Sequence, residues 1–165
     1  MPYTTTRYSA QFLYRLIDNV QAYLEASTAT ALAEVEAGLT NFTDYRTPTP
    51  VVLNFPALFV TPSSETLEQS DDDSHIRGRC EMYVDIAIDG KDAYTIQRTI
   101  LKYMLAVDRV LRTMTVADLL GANTTALVGE PIWEVTEHQY GVLRQGDTMY
   151  RLDGRIVLVV QMLER

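Results

Sequence analysis

The apolar positions at the start of the chain follow a helical period. Leu13, Leu16, Ile17, Val20 and Leu24 recur three and four residues apart, and the same phase runs on through Ala31 and Val35 to Gly38. This predicts one long helix, or two with a break at Ser27-Thr28-Ala29-Thr30, where Ser and β-branched residues favour helix less than the Ala and Glu around them. Thr47-Pro48-Thr49-Pro50 ends any helix, because proline lacks an amide donor and biases its predecessor to extended geometry. Val51 to Phe55 and Ala57 to Val60 read as a short strand interrupted at Pro56, as at a sheet edge or a bulge. From Ile76 the period becomes two. Ile76, Cys80, Met82, Val84, Ile86 and Ile88 alternate with Arg77, Arg79, Glu81, Tyr83, Asp85 and Asp89, which is the clearest strand in the chain.

Asp89-Gly90-Lys91-Asp92 then turns the chain into a helix reaching about Thr113, with Asp92 as its expected N-cap. Ala93, Ile96, Ile100, Tyr103, Val107, Val110, Leu111 and Met114 form its apolar stripe. Arg98, Lys102, Arg109 and Arg112 fall within roughly 80° of one another on the opposite side, with Leu105 among them. Beyond a Gly121-Ala122-Asn123 loop, Ile132 to His138 reads as a strand and Gly141 to Gly146 as a loop. Tyr150 to Leu163 reads as a further strand with a turn or bulge at Asp153-Gly154. Thr61 to His75 looks unlike either element: it holds Pro62, four serines, five carboxylates and Leu67 as its single large apolar residue. A flexible acidic loop over 61–76 is expected there. The order helix, strand, strand, helix, strand, strand predicts one α+β domain over 1–165, with a mainly antiparallel or mixed sheet of about four strands and helices on one face.

Charge sharpens this picture. The chain of 165 residues carries 14 basic and 22 acidic groups, a net −8. Residues 61–76 hold five of the acids and no base, so most of the imbalance is local. A DNA-wrapping domain would carry a net basic face, which this balance makes an unpromising reading. Hydrophobic residues at 47% fit a globular core, and no apolar run approaches the roughly 18 residues of a membrane span. One cysteine makes no internal disulfide, and Met1-Pro2-Tyr3-Thr4 lacks a signal peptide's basic start, so a reducing cytosol is the expected compartment.

Candidate chemistry is sparse. The eight glycines are scattered, so no phosphate-cradling loop is present, and neither a His-Glu-x-x-His pair nor a Gly-x-Ser-x-Gly turn occurs. Asp71-Asp72-Asp73-Ser74-His75 offers hard oxygen ligands, but consecutive residues point in different directions, and a solvated acidic loop is the expected state. His138, beside Glu137 and near Glu134, is the one residue that could serve a small enzyme as a general base with an orienting carboxylate. Cys80 falls on an apolar strand face, where a thiol acts as a small hydrophobe. No catalytic, metal or cofactor site is expected.

Two features instead point to partners. In the closing strand Ile156, Leu158, Val160 and Met162 alternate with Val157 and Val159, so both faces are apolar although helices on one side would hide only one. The even set is expected to face the helices, and Val157 and Val159 a second layer or a neighbouring subunit. The basic helix face is expected to dock on an acidic surface, for which Glu65, Glu68, Asp71, Asp72 and Asp73 of another copy are the candidates.

The whole layout resembles the tail-terminator, or tail-completion, proteins of long-tailed bacteriophages. The resemblance runs through the amphipathic helix Phe12 to Glu25, the strand ending Phe55-Pro56-Ala57-Leu58-Phe59-Val60, the acidic loop and the alternating strand Cys80 to Ile88. It continues through the Asp89-Gly90-Lys91-Asp92 turn, the basic amphipathic helix, and the closing strands Tyr150-Arg151-Leu152 and Ile156 to Met162. It implies a non-enzymatic virion protein of the tail or neck, assembled in the host cytoplasm without a cofactor. Such a protein forms a ring, typically hexameric, that caps the tail tube, stops its growth and joins it to the head connector. The implied partners are other copies, the tail tube protein and the connector, with DNA passing through without specific binding and no membrane. Another neck or head-completion connector is the alternative within the same class, and a small cytosolic enzyme using His138 the alternative outside it.

Overall fold

The computed structural model describes residues 10–45, 54–69, 76–121 and 131–164. Helix α1 (Ala10–Val35) is unbroken. Thr28, in the stretch with poorest helix propensity, is fully buried and its hydroxyl lies 2.9 Å from the Tyr45 hydroxyl, so a tertiary contact overrides the local preference. Strands β1 (Ala57–Gln69) and β2 (Ile76–Gly90) form a long antiparallel pair. Helix α2 (Ala93–Thr113) follows, capped by Asp92, whose carboxylate accepts from the Thr95 amide at 2.6 Å. A short α3 (Val116–Leu120) closes a capping box between Thr115 and Asp118, a signal the helical periodicity did not reveal. Then come β3 (Ile132–Tyr140), the two-residue β4 (Arg144–Gln145) and β5 (Tyr150–Glu164).

The expected α+β class stands: a five-stranded antiparallel sheet in the order β1-β2-β5-β3, with β4 also on β5. The fifth strand is the β4 dipeptide, which falls inside the stretch expected as loop. The core lies on one face of the sheet, where Met82, Val84, Ile86, Ile156, Leu158 and Val160 meet Leu16, Val20 and Leu24 of α1 and Ile100, Met104, Val107 and Leu111 of α2. α1 and α2 run antiparallel over this face: Glu36 pairs with Lys102 near one end, while Asn19 Nδ2 donates to the Leu119 carbonyl at 3.0 Å near the other.

Three sequence expectations change. Thr61 to Gln69 is strand rather than loop, paired with Ile76 to Tyr83 through a bulge between Pro62 and Ser64. Backbone ladder bonds do not require apolar side chains, and the exposed end of an edge strand has no reason to alternate. The remainder of the expected loop, 70–75, lies outside the described residues, as does Val51 to Leu53 of the expected strand. Second, Asp153-Gly154 is neither turn nor bulge; β5 runs straight through it, and the bulge of that strand pair is in β3, between Val135 and Glu137. Gly154 is needed for another reason: a Cβ there would stand 2.7 Å from Met104 Sδ and 3.3 Å from Ile100 side-chain carbons, so glycine lets α2 sit directly on the sheet.

The third change concerns the closing strand. Ile156, Leu158, Val160 and Met162 do face the helices. Val157 and Val159, however, are 4% and 1% exposed within a single chain, so they present no open apolar face to a neighbour. β5 is a central strand, and the register sets Val157 between Tyr83 and Glu137 and Val159 between Glu81 and Glu134, whose larger side chains rise from both flanking strands. Further along that face Arg155 spans the strands, its Nε 2.7 Å and Nη2 3.1 Å from the Asp85 carboxylate and its guanidinium 4.0 Å over the Tyr83 ring. This pairing holds the Arg155 guanidinium above its ordinary range.

Candidate interaction surface

The outward face of α2 is built by helical geometry from residues the core does not use. Tyr94, Arg98, Leu101, Leu105, Arg109 and Arg112 recur every three or four positions and all are exposed, Leu101 by 51% and Leu105 by 44%. Lys102, on the edge of this stripe, is half-buried and paired with Glu36 of α1. Arg98 lies 4.9 Å over the Tyr94 ring. Arg112 donates through Nε to Asp108 at 2.8 Å, which holds its guanidinium above the ordinary range. Of the four basic groups expected to act together, then, two already have acid partners inside the chain. Arg98 and Arg109 have no ion-pair partner among the described residues.

The acidic counterpart is split by the pleat. Glu65 lies opposite Cys80 on the helix side of the sheet, and partial burial raises its carboxyl above the usual range. Glu68 lies opposite Arg77 on the other side, an opposite-charge cross-strand pair. Asp71, Asp72 and Asp73 lie outside the described residues.

The histidine constellation is rearranged. His138 sits opposite Ile156 on the helix side, whereas Glu134 and Glu137 sit opposite Val159 and Val157 on the far side. Strand alternation alone turns Glu137 away from His138, and the β3 bulge shifts the phase so that Glu134 also faces away, so neither carboxylate orients the ring. Its partner is Asp108 of α2, with Nε2 3.2 Å from Oδ1. Sequence reasoning missed Asp108, which interrupts an apolar stripe and is 9% exposed because it accepts from Arg112 and meets His138. Among the described residues no Ser, Thr or Cys side chain is hydrogen-bonded to His138, so the pair ties β3 to α2 without an activated nucleophile. Cys80 is fully buried and its thiol is pushed up to about 11, first by burial and then by Glu65, so it stays protonated and unreactive at neutral pH. Among the described residues no group of three His, Cys, Asp or Glu side chains could hold a metal ion. A cleft of about 490 Å³ opens where α2 and α3 meet the start of β3, lined by Leu111, Val116, Trp133 and Val135, with Arg112 and Glu134 at hand. Trp133 Nε1 donates to the Leu111 carbonyl at 3.2 Å, so the indole is held in the wall of the cleft. No described helix is long and apolar enough to cross a membrane.

No protein-family model and no curated protein matches this chain. Among solved structures, a chain of the particle described as "Virion of native gene transfer agent (GTA) particle" matches over 86% of this chain and 97% of its own, at 14% sequence identity and a TM-score of 0.32.

Proposed function

We propose that this chain is a virion assembly protein that forms a closed, typically hexameric ring, caps the tail tube of a long-tailed phage or phage-like particle, ends its growth and joins it to the head connector. The observation that carries this reading is the outward face of α2. Two leucines, a tyrosine and two arginines that have no acid partner among the described residues stand exposed on a helix whose opposite face packs into the core. Scattered exposed leucines need no explanation, but a continuous stripe of them among arginines has the composition of a protein contact. The layout of elements, which resembles the tail terminators, supplies the class of contact. In a closed ring one surface of each subunit meets a different surface of the next, and a basic helix facing the acidic Glu65, Glu68 and Asp71–Asp73 segment of a neighbour is such a pair.

The remaining partners in this reading are the tail tube protein and the connector, and the site is the tail or neck of the virion. Each copy adds a net −8, so the assembled ring disfavours DNA sticking as it passes through. The test is genetic. Deleting the coding sequence from its parent particle should give tubes of irregular, excessive length and heads without tails, and expression of the chain in trans should restore both. Normal tail length and head joining in the deletion would refute the reading.

A further inference from the structure

The cleft at the end of α2 runs along the start of β3. Because β3 is an edge strand, residues from both of its faces reach the cleft: Trp133 and Val135 from the helix side, Ile132 and Glu134 from the other. Leu111 of α2 and Val116 of α3 add further apolar surface. The volume of about 490 Å³ is within the roughly 300–1,000 Å³ of ligand pockets. The polar groups that would orient a small ligand are mostly engaged, since the Trp133 indole donates to the Leu111 carbonyl and Arg112 is paired with Asp108. Glu134 is left, exposed and with no ion-pair partner among the described residues. The chemistry that fits is an apolar group with a cation close by.

The chain itself carries such a group. Among the described residues the large apolar side chains left exposed are Tyr94, Leu101, Leu105, Ile132, Tyr140 and Val142. Ile132 belongs to the cleft, three others lie along the side of α2, and Tyr140 lies in the β3 ladder opposite Gly154. Val142 differs from these: at 81% it is the most exposed, and it lies in the turn between β3 and β4. That turn is fixed on both sides. The Gly141 amide donates to the Asp153 carbonyl at 2.8 Å, so close that a Cβ at Gly141 would stand 2.9 Å from the same oxygen, and Arg144 and Gln145 pair with β5. Val142 is therefore a pre-placed apolar knob, which loses little conformational freedom when it binds. Arg144, two residues on, is exposed and has no ion-pair partner among the described residues.

We infer that Val142 of one copy seats in the cleft of a second copy, with Arg144 facing that copy's Glu134. The inference rests on the ring reading and adds to it a contact separate from the exposed α2 stripe. Shape and charge together select the occupant, because the turn offers the apolar group and the cation that the cleft lacks. A copy cannot fill its own cleft: Trp133 and Tyr140 stand seven residues apart on β3, roughly 20 Å, and Val142 lies beyond Tyr140. A knob and a cleft at opposite ends of one strand meet only head to tail, the kind of contact that closes into a ring.

The test uses two full-length variants, Val142→Asp in the knob and Ile132→Asp in the cleft. Both positions are exposed, by 81% and 68%, so both variants should fold, which circular dichroism checks; Val142→Ser and Ile132→Ser replace any that does not. Each alone is expected to weaken self-association at least about tenfold in sedimentation. Mixed in equal amounts they should associate with each other, because the first keeps an intact cleft and the second an intact knob. Arg144→Glu should weaken association as well, and adding Glu134→Arg to it should restore it. Trp133 is the chain's one tryptophan, so its emission should move to longer wavelength as the wild-type chain dissociates on dilution. A wild-type chain that assembles while both variants assemble equally well overturns this inference and leaves the ring reading standing. The same result with tail-tube binding lost assigns the knob or the cleft to the tube protein and also overturns it. Weakened variants that fail to associate when mixed overturn the pairing of knob with cleft, and a charge-swapped chain that stays dissociated overturns the pairing of Arg144 with Glu134. A wild-type chain that is monomeric at every concentration overturns the ring reading itself, and this contact with it.

Discussion

Replacing Gly154 by alanine tests how α2, and with it the exposed stripe, is seated on the sheet. The added Cβ would stand 2.7 Å from Met104 Sδ and 3.3 Å from Ile100 Cδ1 and Cγ1, all in the buried core. Overpacking by one carbon costs about 1–3 kcal/mol. The closest atom is near the flexible end of Met104, which can yield, so the cost falls in the lower half of that range. Alanine also restricts the unfolded chain, which offsets roughly 0.4–1 kcal/mol. The net expectation is a loss of about 1 kcal/mol, or a fall of about 3 °C in Tm for a domain of this size. Gly154→Val, which adds two further carbons against Ile100, should lose about 3 kcal/mol. Urea titration followed by circular dichroism measures both, and a double-mutant cycle identifies the cause. In a Met104→Ala background the closest contact is gone and only the 3.3 Å approach to Ile100 remains, so Gly154→Ala should become close to neutral or stabilising. A Gly154→Ala protein as stable as the parent, or an unchanged penalty in the Met104→Ala background, would refute the argument that this glycine exists to admit the helix.

Val157→Asp should cost several kcal/mol and give insoluble or unfolded protein rather than a folded monomer, because Val157 is already buried in a single chain; a soluble, folded variant would contradict this. Asp85→Asn should destabilise by about 1–3 kcal/mol through its charge-assisted bonds to Arg155, and urea unfolding with no change would show the pair to be idle. Burial raises the Cys80 thiol from 9.0 to about 11, so above pH 9 the unfolded chain loses a proton that the folded chain keeps, and stability should fall between pH 9 and 11. Tyr103, raised from 10.0 to about 12 by burial, adds a fall between pH 10 and 12; Cys80→Ala should flatten the first step only, and an identical pH profile in that variant would overturn the assignment.

The elements with a clear period were legible in the sequence. The change to alternation at Ile76 and the Asp92 cap and apolar stripe of α2 translate directly into β2 and a helix with one buried face, because side-chain direction there follows backbone geometry alone. The unbroken α1 was not decidable from propensity, since Thr28 stays helical through a partner on Tyr45 that no local pattern announces. The acidic half of β1 was illegible for the opposite reason: its pairing uses the backbone, and its side chains carry no alternation. At the candidate surface, the positions of Arg98, Leu105 and Arg109 could be read from helical spacing. That Lys102 is neutralised by Glu36 could not, because this acid reaches it through the packing of α1 on α2, whereas the Asp108–Arg112 pair, four residues apart on one helix, follows from spacing. The burial of Val157 and Val159 likewise depends on which strands flank β5, and that order is a property of the sheet rather than of the strand.

The central claim is that this chain closes into a ring, and the direct test is the mass and image of the purified protein. Mass photometry should give one oligomeric species at an integer multiple of 18.7 kDa, and negative-stain electron microscopy of the same sample should show annular particles with a central hole. An 18.7 kDa monomer at every accessible concentration, or open filaments in place of rings, would contradict the account.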